Sequence, residues 1–172
     1  LLAERYGAAE VWVKHENHTP VGAFKIRGGL TYFDQLARRG PLPHEVISAT
    51  RGNHGQSLAY AGAASGLPVV IVVPHGNSPD KNASMEAMGA ELIVHGEDFQ
   101  EAREYAMTLA AERGLVAVPA FHPWLVQGVA TYAAELHEAV PDLDAIYVPV
   151  GMGSGISANV AVRHLLGKAT EI

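Results

Sequence analysis

The sequence predicts an α/β fold built on open parallel sheets with flanking helices. Short runs rich in β-branched residues alternate with helical stretches along the chain, and the run Val69–Val73 is apolar without interruption. A strand with one exposed face alternates apolar and polar residues, so an unbroken apolar run indicates a strand covered on both faces, as in a parallel sheet. Right-handed crossovers are expected between successive strands.

Six segments have the composition of strands: residues 11–14, 45–48, 69–73, 91–94, 115–118 and 145–148. Capping signals locate the helices between them. Ser78 precedes Pro79, a residue suited to the first helical position because its missing N–H would have no partner there. Gly89 is expected to end that helix, and Asp98 and Gly114 are expected to bound the next one.

The composition disfavours or excludes several classes of function. The 172 residues carry a formal net charge of −6 without a basic cluster, which disfavours a nucleic-acid partner. The absence of cysteine excludes disulfides, thiolate metal sites and a cysteine nucleophile. His15 and His18 come nearest to a metal motif, and no metal site is predicted. No apolar run approaches the roughly 20 residues that span a bilayer. With no signal-peptide pattern visible, a cytoplasmic protein is expected.

The first segment with chemical potential is TPVGAFKIRGG. A helix expected over residues 24–39 places Lys25 in its first turn, where the helix dipole disfavours an ammonium group. Burial beside Phe24 and Ile26 disfavours the charge further. Both effects lower the pKa of the lysine, and the free amine is the form that acts as a nucleophile or carries a proton. The alternative is a first-turn lysine that extends into solvent.

The second segment, SATRGNHGQS, lies between a predicted strand and an alanine-rich helix expected to begin near Gln56. Gly52 and Gly55 free the backbone to direct N–H groups inwards as a nest for an anion. Thr50 adds a hydroxyl, and Asn53 adds an amide that can hydrogen-bond a planar ligand. The alternative is an ordinary strand-to-helix turn capped by Asn53.

The third segment, VPVGMGSGISANV, has the order strand, glycine loop, helix. It is not a Walker loop, because no Lys-Ser/Thr pair follows, and Ile156 occupies the place of the third glycine in a dinucleotide fingerprint. The loop suits a single phosphate held by backbone N–H groups and the Ser154 hydroxyl. Together, the three segments describe a ligand that carries one phosphate and one aldehyde.

In this order, FKIRG, RGNHGQS and VGMGSGI resemble motifs of the fold-type II pyridoxal-phosphate enzymes, and most closely those of the threonine/serine dehydratases and their serine racemase relatives. The likeness extends over nearly the whole chain. It implies a two-lobed fold like that of the tryptophan synthase β subunit, present here incompletely. Residues 1–44 and 123–172 would belong to a large cofactor-binding domain, and residues 45–122 would form a small mobile domain.

The resemblance also implies a role for each segment. Lys25 would bind the aldehyde of pyridoxal 5′-phosphate and take the α proton of the substrate, with Phe24 shielding the site. Asn53 would hydrogen-bond the 3′ oxygen of the cofactor. The phosphate would be held by the glycine loop, namely Gly151, Met152, Gly153, Ser154 and Gly155. The substrate carboxylate would be bound, largely through backbone N–H groups, by Thr50, Arg51, Gly52, Asn53 and His54.

The implied activity is that of a dimeric lyase that converts L-threonine or L-serine into a 2-oxo acid and ammonia. Alternatives within the family are a hydroxyaspartate or ectoine-pathway dehydratase and a β-replacement synthase. Arg51 favours the first of these, because it adds a positive charge beside the expected carboxylate pocket. A non-catalytic module that binds phosphate or nucleotide is the alternative outside the family.

Departures from the family pattern limit these expectations. Arg51 stands where serine racemase has the serine that protonates the opposite face of the substrate. Because an arginine is almost always protonated, racemisation by two bases is disfavoured. Val129 stands where a glutamine is expected. The group that faces the pyridine nitrogen, and any metal ligands, are expected beyond Ile172.

Overall fold

A four-stranded parallel sheet lies between residues 46 and 117. The computed structural model describes residues 2–172. The strands are β1 (Val46–Ala49), β2 (Val69–Val73), β3 (Glu91–Val94) and β4 (Val116–Ala117), in the order β3-β2-β1-β4. Each neighbouring pair is parallel. Every residue of the two central strands, β1 and β2, is buried, so the prediction from unbroken apolar runs is confirmed.

Helices surround this sheet and extend away from it. Within residues 2–172 the structure has a 3₁₀ helix at Glu16–His18 and seven α-helices: α1 (Leu2–Tyr6), α2 (Lys25–Arg38), α3 (Asn53–Ser65), α4 (Pro79–Ala87), α5 (Phe99–Arg113), α6 (Pro123–Ala139) and α7 (Ser154–Leu165). Alternate residues of β2 pack on opposite sides. Ile71 packs with Leu58 of α3 and Met85 of α4, whereas Val70 packs with Ala106 of α5.

The capping signals located two of the helices correctly. Helix α4 begins at Pro79, and Gly89 follows its end with a φ of +87°. The Asp98 carboxylate accepts a backbone N–H of α5 at 2.9 Å, and Gly114 ends that helix with a φ of +68°. Ser78 is the N-cap residue of α4, as predicted, but its side chain makes no capping bond within residues 2–172.

Two of the six predicted strands are wrong. Residues 11–14 and 145–148 do not form strands, and their side chains are largely exposed, with Trp12 at 59% and Tyr147 at 96%. Residues 145–148 make one isolated parallel bridge, between Ala145 and Glu171. A strand needs a hydrogen-bonded neighbour along its length. Residues 2–172 supply no strand neighbour for residues 11–14 and only this single bridge for residues 145–148.

Four helices pack in series beside the sheet, in the order α3, α2, α6 and α7. Helix α2 contacts both α3 and α6, and α6 contacts α7. Glycines permit the close approach, because a Cβ on Gly29 of α2 would lie 2.6 Å from the carbonyl oxygen of Ser57 on α3. This packing places the first turn of α2 beside the elements that carry the other two candidate segments.

Candidate active site

The first residues of two helices meet at the candidate site. Lys25 begins α2, and Ser154 begins α7. The Lys25 Nζ donates a hydrogen bond of 2.5 Å to the Ser154 Oγ, and Ser154 is buried. The structure therefore brings together two segments that the sequence singled out separately.

Lys25 lies in an environment that favours the uncharged amine. Burial lowers its pKa, and no carboxylate within residues 2–172 forms an ion pair with it. Ile26 beside it is buried. The ring of half-buried Phe24, whose centroid lies 5.3 Å from the Lys25 Nζ, covers the amine, although such a contact by itself favours the charged form. The alternative of a lysine extended into solvent does not fit this position.

The glycine loop before α7 forms a cradle of backbone donors. Gly153 is the N-cap residue with a φ of +97°, a conformation that side-chain-bearing residues rarely adopt. No side chain of residues 2–172 caps the helix. The first N–H groups of α7 are therefore available to an anion. A Cβ on Gly155 would lie 3.4 Å from Phe24 Cζ and 3.5 Å from Tyr132 Oη. The start of α7 thus offers backbone donors to an anion.

A buried polar pair supports the cradle from behind. The Asn159 Nδ2 donates to the Tyr132 Oη at 2.5 Å and to the Gly155 carbonyl oxygen at 2.9 Å. Asn159 is fully buried, so these bonds fix the first turn of α7 against α6. Val129, where the family pattern has glutamine, packs in the apolar cluster between the same two helices. The sequence analysis missed Tyr132, which no motif marks, and Asn159, which lies in the third segment but beyond its glycine loop.

The loop between β1 and α3 is tighter than predicted. Helix α3 begins at Asn53, earlier than the start expected near Gln56, and its N-cap residue is Gly52. The buried Thr50 Oγ1 accepts the N–H of Gly52 at 3.1 Å and the N–H of Gly55 at 3.4 Å. The hydroxyl therefore occupies part of the expected nest, and Asn53 is not the cap residue of the alternative interpretation.

His54 contributes a buried nitrogen that has no hydrogen-bond partner in the described part of the chain. The residue is 8% exposed, and this nitrogen is its Nε2. Burial, and next the charge of Lys25, lower the pKa of His54 to about 4. Buried polar atoms are normally hydrogen-bonded. An unpaired nitrogen on a histidine whose pKa is lowered by the charge of Lys25 is therefore consistent with a polar ligand in this region.

The buried His54 predicts a pH-dependent stability. The unfolded chain binds the proton near the ordinary pKa of 6.5, whereas the folded chain does so only at about 4. The stabilisation is therefore complete above pH 6.5 and is lost as the pH falls towards 4, by up to about 3 kcal/mol. Urea unfolding across this range compares wild type with His54→Gln. Equal pH slopes in the two proteins would contradict a neutral buried histidine.

The remaining predicted residues, Arg51, Asn53, Gly151 and Met152, are exposed. The structure shows Arg51 in no hydrogen bond or ion pair with residues 2–172. The Asn53 Oδ1 accepts a hydrogen bond of 2.8 Å from the Nζ of Lys81, which is 28 positions away in sequence. Lys81 was not among the predicted residues, because only the folded arrangement brings α4 to this loop.

The sequence is similar to one family over its whole length. A family model described as a pyridoxal-phosphate dependent enzyme matches residues 1–172. The chain is 37% identical over 153 residues to the biosynthetic L-threonine dehydratase IlvA of Escherichia coli, covering 88% of this chain and 29% of that protein. It is 35% identical over 167 residues to the L-threonine ammonia-lyase of Thermotoga maritima, covering 96% and 41%. The chain thus spans less than half the length of these relatives.

Solved structures show the same likeness. The processed form of threonine deaminase isoform 2 from Solanum lycopersicum superposes with a TM-score of 0.89 at 30% identity, covering 98% of this chain and 46% of that one. A pyridoxal 5′-phosphate-dependent aspartate racemase superposes with a TM-score of 0.83 at 33% identity, covering 88% and 46%. The prediction of an α/β fold of this type is therefore confirmed.

Proposed function

Because this chain belongs to the family of pyridoxal-phosphate dependent enzymes, we propose that it acts as a lyase that converts L-threonine or L-serine into a 2-oxo acid and ammonia. The contact between Lys25 and Ser154 carries this proposal. It places a part-buried amine next to a helix N-terminus. The aldehyde of the family's cofactor can react with the amine, and its phosphate can bind at the helix N-terminus. The named threonine dehydratases among the relatives support the substrate class.

The cofactor would be held at three points. Lys25 would bind its aldehyde covalently, and the Asn53 amide would donate to its 3′ oxygen. Its phosphate would accept hydrogen bonds from the backbone of the glycine loop, Gly151, Met152, Gly153, Ser154 and Gly155. When bound, pyridoxal phosphate supplies an electron sink for the negative charge that develops at the α carbon of the substrate.

The protein's own groups would bind the substrate and move its proton. Once its amine is free of the cofactor, Lys25 would accept the α proton, because burial lowers its pKa and so raises the fraction of amine that can take a proton. The Ser154 hydroxyl would hold the amine at the start of α7. The substrate carboxylate would lie against the loop between β1 and α3, at Thr50, Arg51, Gly52, Asn53 and His54.

A related substrate is the second candidate. Arg51 is exposed on this loop and forms no ion pair within residues 2–172, so its charge can attract a second acid group. A hydroxyaspartate would supply that group. Similarity to the aspartate racemase structure is consistent with this choice.

The test uses the purified full-length protein with added pyridoxal phosphate. We expect a visible absorption band from the lysine-bound cofactor, and release of 2-oxo acid from threonine or serine faster than from 3-hydroxyaspartate. The reverse order of rates would favour the hydroxyaspartate reaction. A protein that binds a nucleotide and shows no visible band would contradict the proposal and favour a non-catalytic module.

We also propose a cytoplasmic location and a homodimer, on the family likeness alone. Within residues 2–172, no helix has the length and apolar character needed to cross a bilayer. Light scattering on the eluting full-length protein measures its mass and so tests the dimer. Cell fractionation tests the location.

A further inference from the structure

Lys81 reaches from α4 to the loop between β1 and α3. Its Nζ donates to the Asn53 Oδ1 at 2.8 Å, and this is the hydrogen bond that holds the Asn53 side chain within the described part of the chain. The lysine forms no ion pair with a carboxylate of residues 2–172. Its stem lies over Gly52, where a Cβ would come within 2.6 Å of the Lys81 Cδ. The glycine therefore leaves the space through which the lysine reaches Asn53.

Helix stability does not explain a lysine at this position. Lys81 is the third residue of α4, and a positive charge in the first turn opposes the helix dipole. In a chain with a net charge of −6, carboxylate partners are plentiful, yet this ammonium group is paired with a neutral amide. Its placement is therefore best explained by what it does to Asn53.

The contact fixes the orientation of the amide. An ammonium group has three donors and no acceptor, so it can bond only to the carbonyl oxygen of an amide. With the Oδ1 held by Lys81, the Nδ2 and its two N–H groups face away from the lysine. A hydrogen bond from a charged donor is about twice as strong as one between neutral groups, so this orientation is held firmly.

We propose that Lys81 is a positioning residue that orients the Asn53 amide and places a positive charge behind it, an inference that rests on the proposed function. The outward Nδ2 is the end that would donate to the 3′ oxygen of the cofactor. The charge of Lys81, transmitted through the polarised amide, favours the ionised form of that oxygen. Loss of Lys81 removes both effects and leaves the rest of the site intact.

Absorption spectroscopy of the full-length protein loaded with pyridoxal phosphate tests this role. The form with an ionised 3′ oxygen absorbs in the visible, and the form with a neutral hydroxyl absorbs in the near ultraviolet. We expect Lys81→Met to shift the band ratio towards the near ultraviolet and to raise the dissociation constant of the cofactor about tenfold. Lys81→Arg, which keeps a charged donor, is expected to restore the visible band.

Two further proteins sharpen the test. Arg103→Met removes one positive charge from α5, which lies on the opposite face of the sheet from α4, and should leave the spectrum and the dissociation constant unchanged. Lys81→Met should add no further loss to Asn53→Ala, because Lys81 acts through Asn53. A Lys81→Met protein with the wild-type band ratio and cofactor affinity overturns the positioning role alone. A wild-type protein without a visible band overturns the proposed function.

Discussion

We expect Lys25→Ala to abolish the visible band of the bound cofactor and to slow deamination of threonine or serine by at least about 10²- to 10⁴-fold, the usual contribution of a positioned proton-transfer group. The substitution removes the amine that would bind the aldehyde. It also removes the base that would take the α proton. Stopped assays of 2-oxo acid release, with the absorption spectrum recorded on the same sample, measure both losses.

Lys168→Ala provides the matched control. Lys168 follows the C-terminal end of α7, whereas the Lys25 partner Ser154 begins that helix. Among the described residues, the Lys168 Nζ donates only to the Pro141 carbonyl oxygen, at 2.9 Å. The control is expected to keep the spectrum and the rate of wild type. Deamination by Lys25→Ala at the rate of the control would refute the assignment of Lys25 as the reactive amine.

A segment with the composition of a strand forms one only where the fold supplies a neighbouring strand to pair with it. The segment Val69–Val73 is apolar throughout, and it is paired on both edges and covered on both faces. Residues 11–14 have a similar composition, yet Val13 is 57% exposed and no strand forms. Composition reports the tendency of a segment to form a strand. The neighbour that completes the hydrogen bonds is a property of the whole fold.

The candidate site likewise contains residues that the sequence could predict and residues that it could not. Lys25 and Ser154 stand in segments that are unusual by themselves, a framed lysine and a glycine loop, so the sequence pointed to both. Lys81 and Tyr132 lack such a local signal. Lys81 bonds to Asn53, 28 positions away, and Tyr132 bonds to Asn159, 27 positions away. These contacts exist only because helices from different parts of the chain pack together.

The crossing of α2 and α6 predicts the second large effect. A Cβ on Gly128 of α6 would overlap the carbonyl oxygen of Arg27 and would lie 2.5 Å from the Thr31 Oγ1. The carbonyl belongs to the backbone of α2, so no change of rotamer relieves the overlap. We expect Gly128→Val to lower the free energy of unfolding by about 3 kcal/mol, the upper end of the usual cost of overpacking.

The same substitution is expected to weaken cofactor binding. Forcing α2 away from α6 also moves Lys25, the first residue of α2, away from Ser154, because α6 and α7 stay joined through Val129 and Ala158. Urea unfolding and cofactor titration of the full-length protein measure the two losses separately. Ala134→Val, on the exposed face of α6, is the control and should cost at most about 0.7 kcal/mol through helix propensity. Equal stability of the two variants would refute the tight crossing. A destabilised Gly128→Val protein with wild-type cofactor affinity would instead show that the spacing of these helices does not control the position of the lysine.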